Sequence, residues 1–576
     1  MRDRTRHLAA ALTGLLLGAL ALGPGLAPGF VLSYDMVFVP DPAFTPMTFG
    51  LTGTVPRHVP SDAFAAALGT VLPGDVAQKA ILLAVFVLAC TSAASLVPSR
   101  RLAPRLAAGV VYAWNPFVAE RLLLGQWALL LGYAALPWAL AAAARAGERG
   151  GGRRLVRALL PAAVGGFAAL AVSGLAALVV ALFAGRDAAG KAAGKVVAAA
   201  ALLGLPWLVP GLLRPGGVPG DDSAVGLFAA RADTPFGTLG SLLLLGGVWN
   251  GETVPHGYGA PLTATLWLVA VVGALAAYAL WTRDEPWRRG LAAAGAAGFA
   301  VAALGAVAEP VLAGMIGLWP GFAVLRDGQQ FVAPLAVVIA VGAGVAADRA
   351  AEAKLPLVPV GLAVVPVLLL PTLAWGAAGE LRAVQYPDDW KRARQIIESD
   401  PANGDVLLLP WAQYRSYAWN HGRRVLDPLP RYLDRRVIVN DSVTVGRTTV
   451  APEDPRSVRL APAAASGSPP AAALRDAGVR YVVVDAEIDR FRPTGAVRVL
   501  RGPHLAVYRI EGQVARVDER VPAAPVVVAW AIASAGVFWS IVGPGTSLST
   551  PLLGSIKSRS PRRDPPRSRN NRRRAP

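Results

Sequence analysis

The 576-residue sequence contains one cysteine, Cys90, and five histidines. A single cysteine excludes an intrachain disulfide and a thiolate metal cluster, and so few histidines argue against a metal site with His and Cys ligands. The chain also lacks the G-x-S-x-G motif of serine hydrolases and the H-E-x-x-H motif of zinc peptidases. The residues therefore give no sign of a zinc enzyme or a serine hydrolase of these types.

Charge is also scarce. Only 16% of the residues are charged, 54% are hydrophobic, and the mean hydropathy is +0.46. Soluble domains average roughly 25% charged residues. Many windows reach the roughly 20 apolar residues that a helix needs to cross a bilayer. The composition therefore predicts a polytopic α-helical membrane protein.

Apolar windows predict about twelve membrane spans within residues 1–377 and 521–543. The stretch 309–324 carries Pro310 and Pro320, so we interpret it as a re-entrant or interfacial piece. The predicted spans are 7–27, 77–97, 105–119, 127–145, 155–172, 174–185, 194–213, 261–281, 289–307, 329–348, 355–376 and 521–543. The first is a long apolar stretch with no A-x-A site after it, which favours an anchor over a cleaved signal peptide.

Basic loops indicate the orientation, because Lys and Arg collect on the cytoplasmic side. With this span count, the basic segments all fall on one side: 1–7, 99–105, 145–154, 185–195, 282–289 and the C-terminal tail. We therefore expect a protein of the cell membrane with both termini on the cytoplasmic side. The loops 28–76 and 214–260, the segment 308–328 and the domain 378–520 face outward.

The tail 544–576 is strongly basic, with nine Lys or Arg and one acid between Lys557 and Pro576. We expect a disordered cytoplasmic tail that contacts anionic membrane lipid rather than nucleic acid.

The sequence of residues 378–520 predicts a small extracytoplasmic α/β domain. Helical spacing of apolar residues predicts helices over 387–400 and 471–478. The segment 461–470 is expected to be a flexible loop, and the predicted strands are 405–411, 435–441, 480–488 and 504–510. The aromatic run 410–424 includes Trp419, which can stack on a sugar ring or pack the domain against the membrane face.

Charged residues gather at the predicted outer ends of spans, where polar groups often serve function. Taken singly, each is explained by solvation, but together they can outline a site. They are Asp35, Asp41, Glu120, Arg121, Glu309, Arg326 and Asp327, with Asp221, Asp222, Glu252 and His256 in loop 214–260.

These residues suit transfer of a sugar from a polyprenyl phosphate. The phosphate needs Arg or Lys near the outer interface, and an acceptor hydroxyl needs a carboxylate base. Asp35 fits the base, and Arg121 and Arg326 fit the phosphate contacts. Further candidate substrate-binding residues are Asp327, His256 and Trp419.

The segments "SYDMVFVPDP" (33–42), "YAWNPFVAERLLLGQWALLLGYAALPW" (112–138) and "LRDGQQF" (325–331) resemble the GT-C superfamily of membrane glycosyltransferases, and most closely its actinobacterial arabinofuranosyltransferase-like members. The resemblance covers most of residues 1–376. It implies an inverting transferase that uses a polyprenyl-phosphate sugar and a cell-envelope glycan or lipid acceptor, with a catalytic acid in the first outer loop.

This chain departs from the adjacent acidic pair that the superfamily often carries, because Asp35 and Asp41 are six residues apart. Either acid can be the base, although Asp41 precedes Pro42 in a typical turn sequence. Some members of the superfamily need a divalent metal, and the sequence leaves that requirement open.

Two alternatives to an enzyme remain. One is a transporter or flippase of lipid-linked glycans, although the chain shows no clear internal repeat and few charges in mid-span. The other is a non-catalytic assembly factor whose outer domain binds glycan or protein.

Overall fold

The computed structural model describes residues 2–215, 224–445, 448–450, 452–488, 491–517 and 520–542. The predicted tail 544–576 and the acids Asp221 and Asp222 lie outside these ranges. The helices are α1 (Arg2–Leu22), α2 (Ser61–Gly69), α3 (Gly74–Leu96), α4 (Leu102–Ala113), α5 (Pro116–Leu123), α6 (Trp127–Ala144), α7 (Gly151–Val164), α8 (Gly166–Leu182), α9 (Arg186–Leu213), α10 (Gly237–Leu243), α11 (Pro261–Trp281), α12 (Arg288–Val307), α13 (Glu309–Leu318), α14 (Ala333–Glu352), α15 (Leu357–Leu369), α16 (Ala374–Gly379), α17 (Asp388–Ser399), α18 (Leu429–Tyr432), α19 (Pro455–Ala465), α20 (Ala471–Asp476) and α21 (Ala523–Val542). The strands are β1 (Phe30–Val31), β2 (Ala383–Val384), β3 (Asp405–Leu409), β4 (Tyr414–Ser416), β5 (Arg424–Leu426), β6 (Val437–Ile438), β7 (Val443–Val445), β8 (Thr448–Val450), β9 (Val479–Asp485), β10 (Val497–Arg501) and β11 (Leu505–Arg509).

Long apolar helices confirm a multi-pass membrane protein. Within the described ranges, eight helices are long and apolar enough to cross a membrane, and the bent pair Leu357–Leu369 with Pro371–Gly379 makes a ninth if it forms one span. The predicted count of about twelve is not confirmed. One reason is α4, whose 12 residues rise about 18 Å and fall short of a core about 30 Å thick.

Two predicted span boundaries are wrong, and local sequence explains both. The predicted span 105–119 is interrupted after α4 because the Asn115 side chain accepts a hydrogen bond from the Val118 N–H at 3.1 Å and starts a new helix, α5. The predicted spans 155–172 and 174–185 are instead α7 and α8, which meet at Gly165. There the next residue, Gly166, has a φ of +78°, in the left-handed region that glycine favours.

Small residues let the membrane helices pack closely. A Cβ atom at Gly14 of α1 would lie 2.6 Å from the carbonyl oxygen of Phe86 on α3. A Cβ atom at Gly342 of α14 would lie 2.0 Å from the carbonyl oxygen of Ala274 on α11. Backbones that approach so closely exclude any larger side chain, as is typical of helix contacts in a bilayer.

The segment 378–520, which we call the outer segment after its predicted side of the membrane, contains a five-stranded mixed sheet with the order β10-β11-β9-β3-β6. Strand β3 is parallel to both β9 and β6, whereas β11 is antiparallel to β9 and β10. The predicted strands 405–411, 435–441, 480–488 and 504–510 correspond to β3, β6, β9 and β11, and the predicted helix 387–400 corresponds to α17. A small α/β fold is therefore confirmed for this part of the chain.

The prediction of a flexible loop over 461–470 is wrong in its first half. Helix α19 runs to Ala465, because the Asp454 side chain accepts from the Arg456 N–H at 2.9 Å and Pro455 occupies the first helical position. The alanines that follow favour continuation of the helix. Strand β10 was not predicted.

Backbone pairing fixes the loop 28–76, which is predicted to be the first outer loop, to the outer segment. Strand β1 pairs with β2 in an antiparallel ladder. The Tyr34 N–H donates to the Arg424 carbonyl at 2.7 Å, and the Leu426 N–H donates to the Tyr34 carbonyl at 2.8 Å. The loop that carries Asp35 thus lies along the hairpin β4–β5.

Candidate active site

Asp35 lies between the α5–α6 turn and the hairpin β4–β5. Its N–H donates to the carbonyl of Leu124 at 3.1 Å. A Cβ atom at Gly125, whose φ is +76°, would lie 2.1 Å from the carbonyl oxygen of Ser33. Only glycine therefore allows the turn to approach the first outer loop so closely.

The Asp35 carboxyl accepts a hydrogen bond from the Tyr414 hydroxyl at 2.7 Å. Burial raises the pKa of Asp35, and Asp327 raises it further, whereas Tyr414, Arg431 and Gln126 act in the opposite direction. The residue nevertheless keeps some accessible surface. A partly buried carboxylate whose pKa is raised, and which a substrate can still reach, is a stronger proton acceptor than an ordinary surface aspartate.

Gln126 connects Asp35 to a buried arginine. The Arg121 Nη1 donates to Gln126 Oε1 at 2.9 Å, and Gln126 in turn hydrogen-bonds the Asp35 carboxyl. Because the amide oxygen accepts from Arg121, the amide nitrogen is the group that donates to Asp35. Arg121 is 1% exposed, and its guanidinium also lies 5.4 Å from the centroid of the Phe117 ring.

Asp327 completes this cluster from the segment before α14. Its Oδ2 is 3.8 Å from Arg121 Nη1 and also accepts from the Gln330 side chain. Its Oδ1 is buried without a hydrogen-bond partner among the described residues. The neighbouring Arg326 lies with its guanidinium 4.8 Å from the Phe228 ring centroid and is half-buried. Three predicted site residues, Asp35, Arg121 and Asp327, thus come together from distant parts of the sequence.

Besides Arg326, the three remaining predicted site residues have different surroundings. Asp41 is exposed, and its backbone has a φ of +49°. His256 is 79% exposed, and its Nε2 lies 4.0 Å from Glu380 Oε1. Trp419 packs within an aromatic cluster, with ring centroids 5.3 Å from Tyr386 and 5.1 Å from Tyr417. The contacts of Trp419 are those of a packing residue, so we do not include it in the site.

Sequence reasoning missed the residues that surround the Asp35 carboxyl. Tyr414 belongs to the aromatic run 410–424, but nothing in the sequence distinguished it from its neighbours. Gln126 is a lone amide in an apolar stretch, which could have attracted attention. Arg431 pairs with Asp62 of α2 at 3.0 Å, and its charge lowers the pKa of Asp35. It lies far from Asp35 in the sequence, so only the fold brings the two together.

A second pair of acids lies beside Arg121. The buried Glu120 and the partly buried Asp233 share a hydrogen bond, and the Gly247 N–H donates to Asp233 Oδ2 at 2.5 Å. Burial raises the pKa of Asp233 to about 6. Burial, and then the charge of Asp233, raise the pKa of Glu120 well above its ordinary value. The hydrogen bond within this pair links the loop 224–260 to α5.

The donor set does not fit a divalent metal. Within the described parts of the chain, no three side chains of His, Cys, Asp or Glu converge on one point. Asp35 faces a tyrosine and an amide, and Asp327 faces an arginine and an amide. We therefore derive no step through a metal ion.

The comparisons with known proteins come from solved structures, because no protein-family model and no curated protein sequence matches the chain. The arabinofuranosyltransferase AftD from Mycobacteria matches with a TM-score of 0.53 and 17% identity over 88% of this chain and 40% of that chain. The oligosaccharyltransferase of Archaeoglobus fulgidus matches with a TM-score of 0.34 and 14% identity over 84% of this chain and 68% of that chain. This chain therefore has a GT-C-like membrane fold and spans less than half the length of AftD.

Proposed function

We propose that this chain is an integral-membrane glycosyltransferase. It transfers a sugar from a polyprenyl-phosphate donor to a hydroxyl of a cell-envelope glycan or lipid on the extracytoplasmic side. The fold shared with AftD supports the class, and the similarity to an arabinofuranosyltransferase makes an arabinofuranosyl donor the first to test. Since fold alone does not fix activity, the proposal depends on the site.

The observation that carries the proposal is the Asp35 carboxyl in its enclosed cluster. Tyr414 and Gln126 orient the carboxyl by donating to it, and Arg121 holds Gln126 in place. A general base has to be both oriented and accessible to the proton that it removes. Asp35 meets both conditions, whereas the exposed Asp41 has no hydrogen bond to its carboxyl among the described residues.

The reaction is a single displacement. Asp35 takes the proton of the acceptor hydroxyl while that oxygen forms a bond to the anomeric carbon of the donor. The bond from the anomeric carbon to the phosphate oxygen breaks, and polyprenyl phosphate leaves with the electron pair. Attack opposite the leaving group inverts the anomeric configuration.

The leaving phosphate needs a cation at the site. Of the two predicted contacts, Arg326 keeps accessible surface and remains our candidate for the phosphate. Arg121 is almost fully buried, so we assign it the role of a positioning residue for Gln126 and Asp327. Arg431 lies close enough to act electrostatically on Asp35 and is a second candidate for the phosphate.

The test is radiolabel transfer in membranes that contain the overexpressed chain, offered a panel of polyprenyl-phosphate sugars. Asp35→Asn should lower transfer by about 10²–10⁴-fold, the usual contribution of a general base. The Asn amide oxygen still accepts from Tyr414, so the fold should be retained. Normal abundance of the variant in the membrane checks this point.

Asp41→Asn is the matched control in the same loop. Asn tolerates the left-handed backbone at this position, and transfer should stay near the wild-type rate. If Asp41→Asn abolishes transfer while Asp35→Asn does not, Asp41 is the base. If neither changes the rate, the first outer loop does not supply the base. If the folded wild type transfers no sugar from any donor, the transporter and assembly-factor alternatives gain support.

A further inference from the structure

Arg423 lies directly before strand β5 and contacts the loop that carries Asp35. Its side chain is 14% exposed, and each of its guanidinium nitrogens has a different partner. Nε donates to the Ser33 hydroxyl at 3.0 Å, and Nη2 donates to the Leu123 carbonyl at 3.3 Å. Nη1 pairs with Glu380. Three distant parts of the chain therefore meet on this one side chain.

Two of these partners lie next to the groups that hold the Asp35 backbone. The Ser33 hydroxyl also donates to the Leu123 carbonyl at 2.7 Å, so Arg423 closes a triangle of hydrogen bonds with them. One residue further on, the Leu124 carbonyl accepts from the Asp35 N–H at 3.1 Å. The triangle and this backbone bond together join the first outer loop to the end of α5.

Further contacts keep Arg423 in this position. Its guanidinium lies 5.5 Å from the centroid of the Tyr34 ring, within the range of a cation–π contact. The buried Asn420 side chain donates to the Arg423 carbonyl at 3.0 Å and to the Leu32 carbonyl at 3.3 Å. Both the backbone and the guanidinium of Arg423 are thus tied to the first outer loop.

This arrangement requires an arginine. The planar guanidinium carries donors on three nitrogen atoms in a fixed fork, whereas lysine has a single nitrogen on a flexible stem. The Leu123 carbonyl belongs to the last residue of α5, where the helix dipole favours a nearby cation.

We propose that Arg423 is a positioning residue for Asp35. By holding Ser33 against Leu123, it sets the backbone from which the Asp35 carboxyl reaches the acceptor hydroxyl. This inference rests on the proposed function, which makes Asp35 the base.

The experiment removes the Arg423 side chain and returns a guanidinium ion from solution. The full chain in nanodiscs is compared as wild type, Arg423→Ala and Arg423→Lys, each with and without millimolar guanidinium, far below the molar concentrations that unfold proteins. Hydrogen–deuterium exchange of the peptide that contains Tyr34 and Asp35 reports on the loop, and radiolabel transfer gives kcat and KM. The matched control is Arg382→Ala, which removes an exposed arginine that donates to the Gly379 carbonyl within its own segment.

Arg423→Ala should speed exchange in this peptide and lower kcat by about 10²-fold, the effect of displacing a catalytic group by about 1 Å, while the donor KM stays near that of the wild type. Guanidinium should partly restore both, because it returns the missing donors. Arg423→Lys keeps the charge and most of the bulk, so it tests the proposal even if the alanine variant does not fold. It should also be impaired, because one nitrogen cannot serve three partners. Arg382→Ala should match the wild type.

The proposal is overturned if the loop of Arg423→Ala exchanges as in the wild type, if guanidinium restores neither readout, or if Arg423→Lys behaves as the wild type does. An equal loss in Arg382→Ala, or a raised KM with unchanged kcat, would also overturn it. If exchange responds as expected but the wild type transfers no sugar from any donor, Arg423 still positions the loop and the proposed function alone fails.

Discussion

The acid pair Glu120–Asp233 makes the stability of the protein depend on pH. Burial raises the pKa of Asp233 from 3.8 to about 6, so the folded chain holds this proton more tightly than the unfolded chain. The contribution of Asp233 to the free energy of unfolding is therefore largest below about pH 4, falls as the pH rises through about 6, and is absent above it. The full difference corresponds to about 3 kcal/mol, an upper limit because Asp233 keeps partial exposure.

Asp233→Asn removes the part of this dependence that Asp233 contributes, while keeping both hydrogen bonds. The amide oxygen still accepts from the Gly247 N–H, and the amide nitrogen donates to Glu120. At pH 8 the variant should therefore unfold at a temperature a few degrees above the wild type, whereas at pH 4.5 the difference should be much smaller. Thermal unfolding followed by tryptophan fluorescence in detergent at pH 4.5, 6 and 8 measures this difference.

The control is Asp284→Asn, which changes an exposed carboxylate and should alter the unfolding temperature little at any pH. An Asp233→Asn protein that is less stable than the wild type at pH 8 would refute the argument. It would mean that the ionised Asp233 is stabilised by its surroundings and that burial does not dominate.

Two further predictions concern Asp35 and the outer segment. Tyr414→Phe removes a hydrogen bond that favours the ionised Asp35, so the pKa of Asp35 rises and the acid limb of the transfer rate moves to higher pH. Asp327→Asn removes a negative charge, so the pKa of Asp35 falls and the acid limb moves to lower pH. If both variants shifted the acid limb of the transfer rate in the same direction, the contacts assigned to Asp35 would be contradicted. Asp427→Ala leaves the buried Arg415 without its partner at 2.8 Å and should destabilise the chain by about 3–5 kcal/mol. Unchanged thermal unfolding and protease resistance would show that this pair is not needed.

Local sequence predicted the membrane helices because burial in lipid leaves a strong and continuous apolar signal. Helices α6, α11 and α12 begin and end within a few residues of the predicted spans 127–145, 261–281 and 289–307. The failures occur where a polar side chain or a glycine interrupts an apolar stretch. Asn115 caps a new helix inside one predicted span, and Gly166 breaks another. A hydropathy window averages over such single residues.

The membership of the site was only partly predictable. The orientation of the loops predicted that Asp35, Arg121 and Asp327 share one face, but not that Gln126 links the first two. Tyr414 lies 379 residues from Asp35, so no local pattern could assign it. Trp419 was a candidate for sugar contact or for packing, because aromatic side chains serve both, and its neighbours are those of a packing residue.

The outer segment contributes directly to the candidate site. It supplies Tyr414 to the Asp35 carboxyl, places Arg431 close by, and pairs through Arg424 with the backbone of Tyr34. The same hairpin lines a polar cavity of about 420 Å³. In the proposed reaction, this segment orients the base through Tyr414. Its loss should therefore abolish transfer even where the membrane helices remain folded.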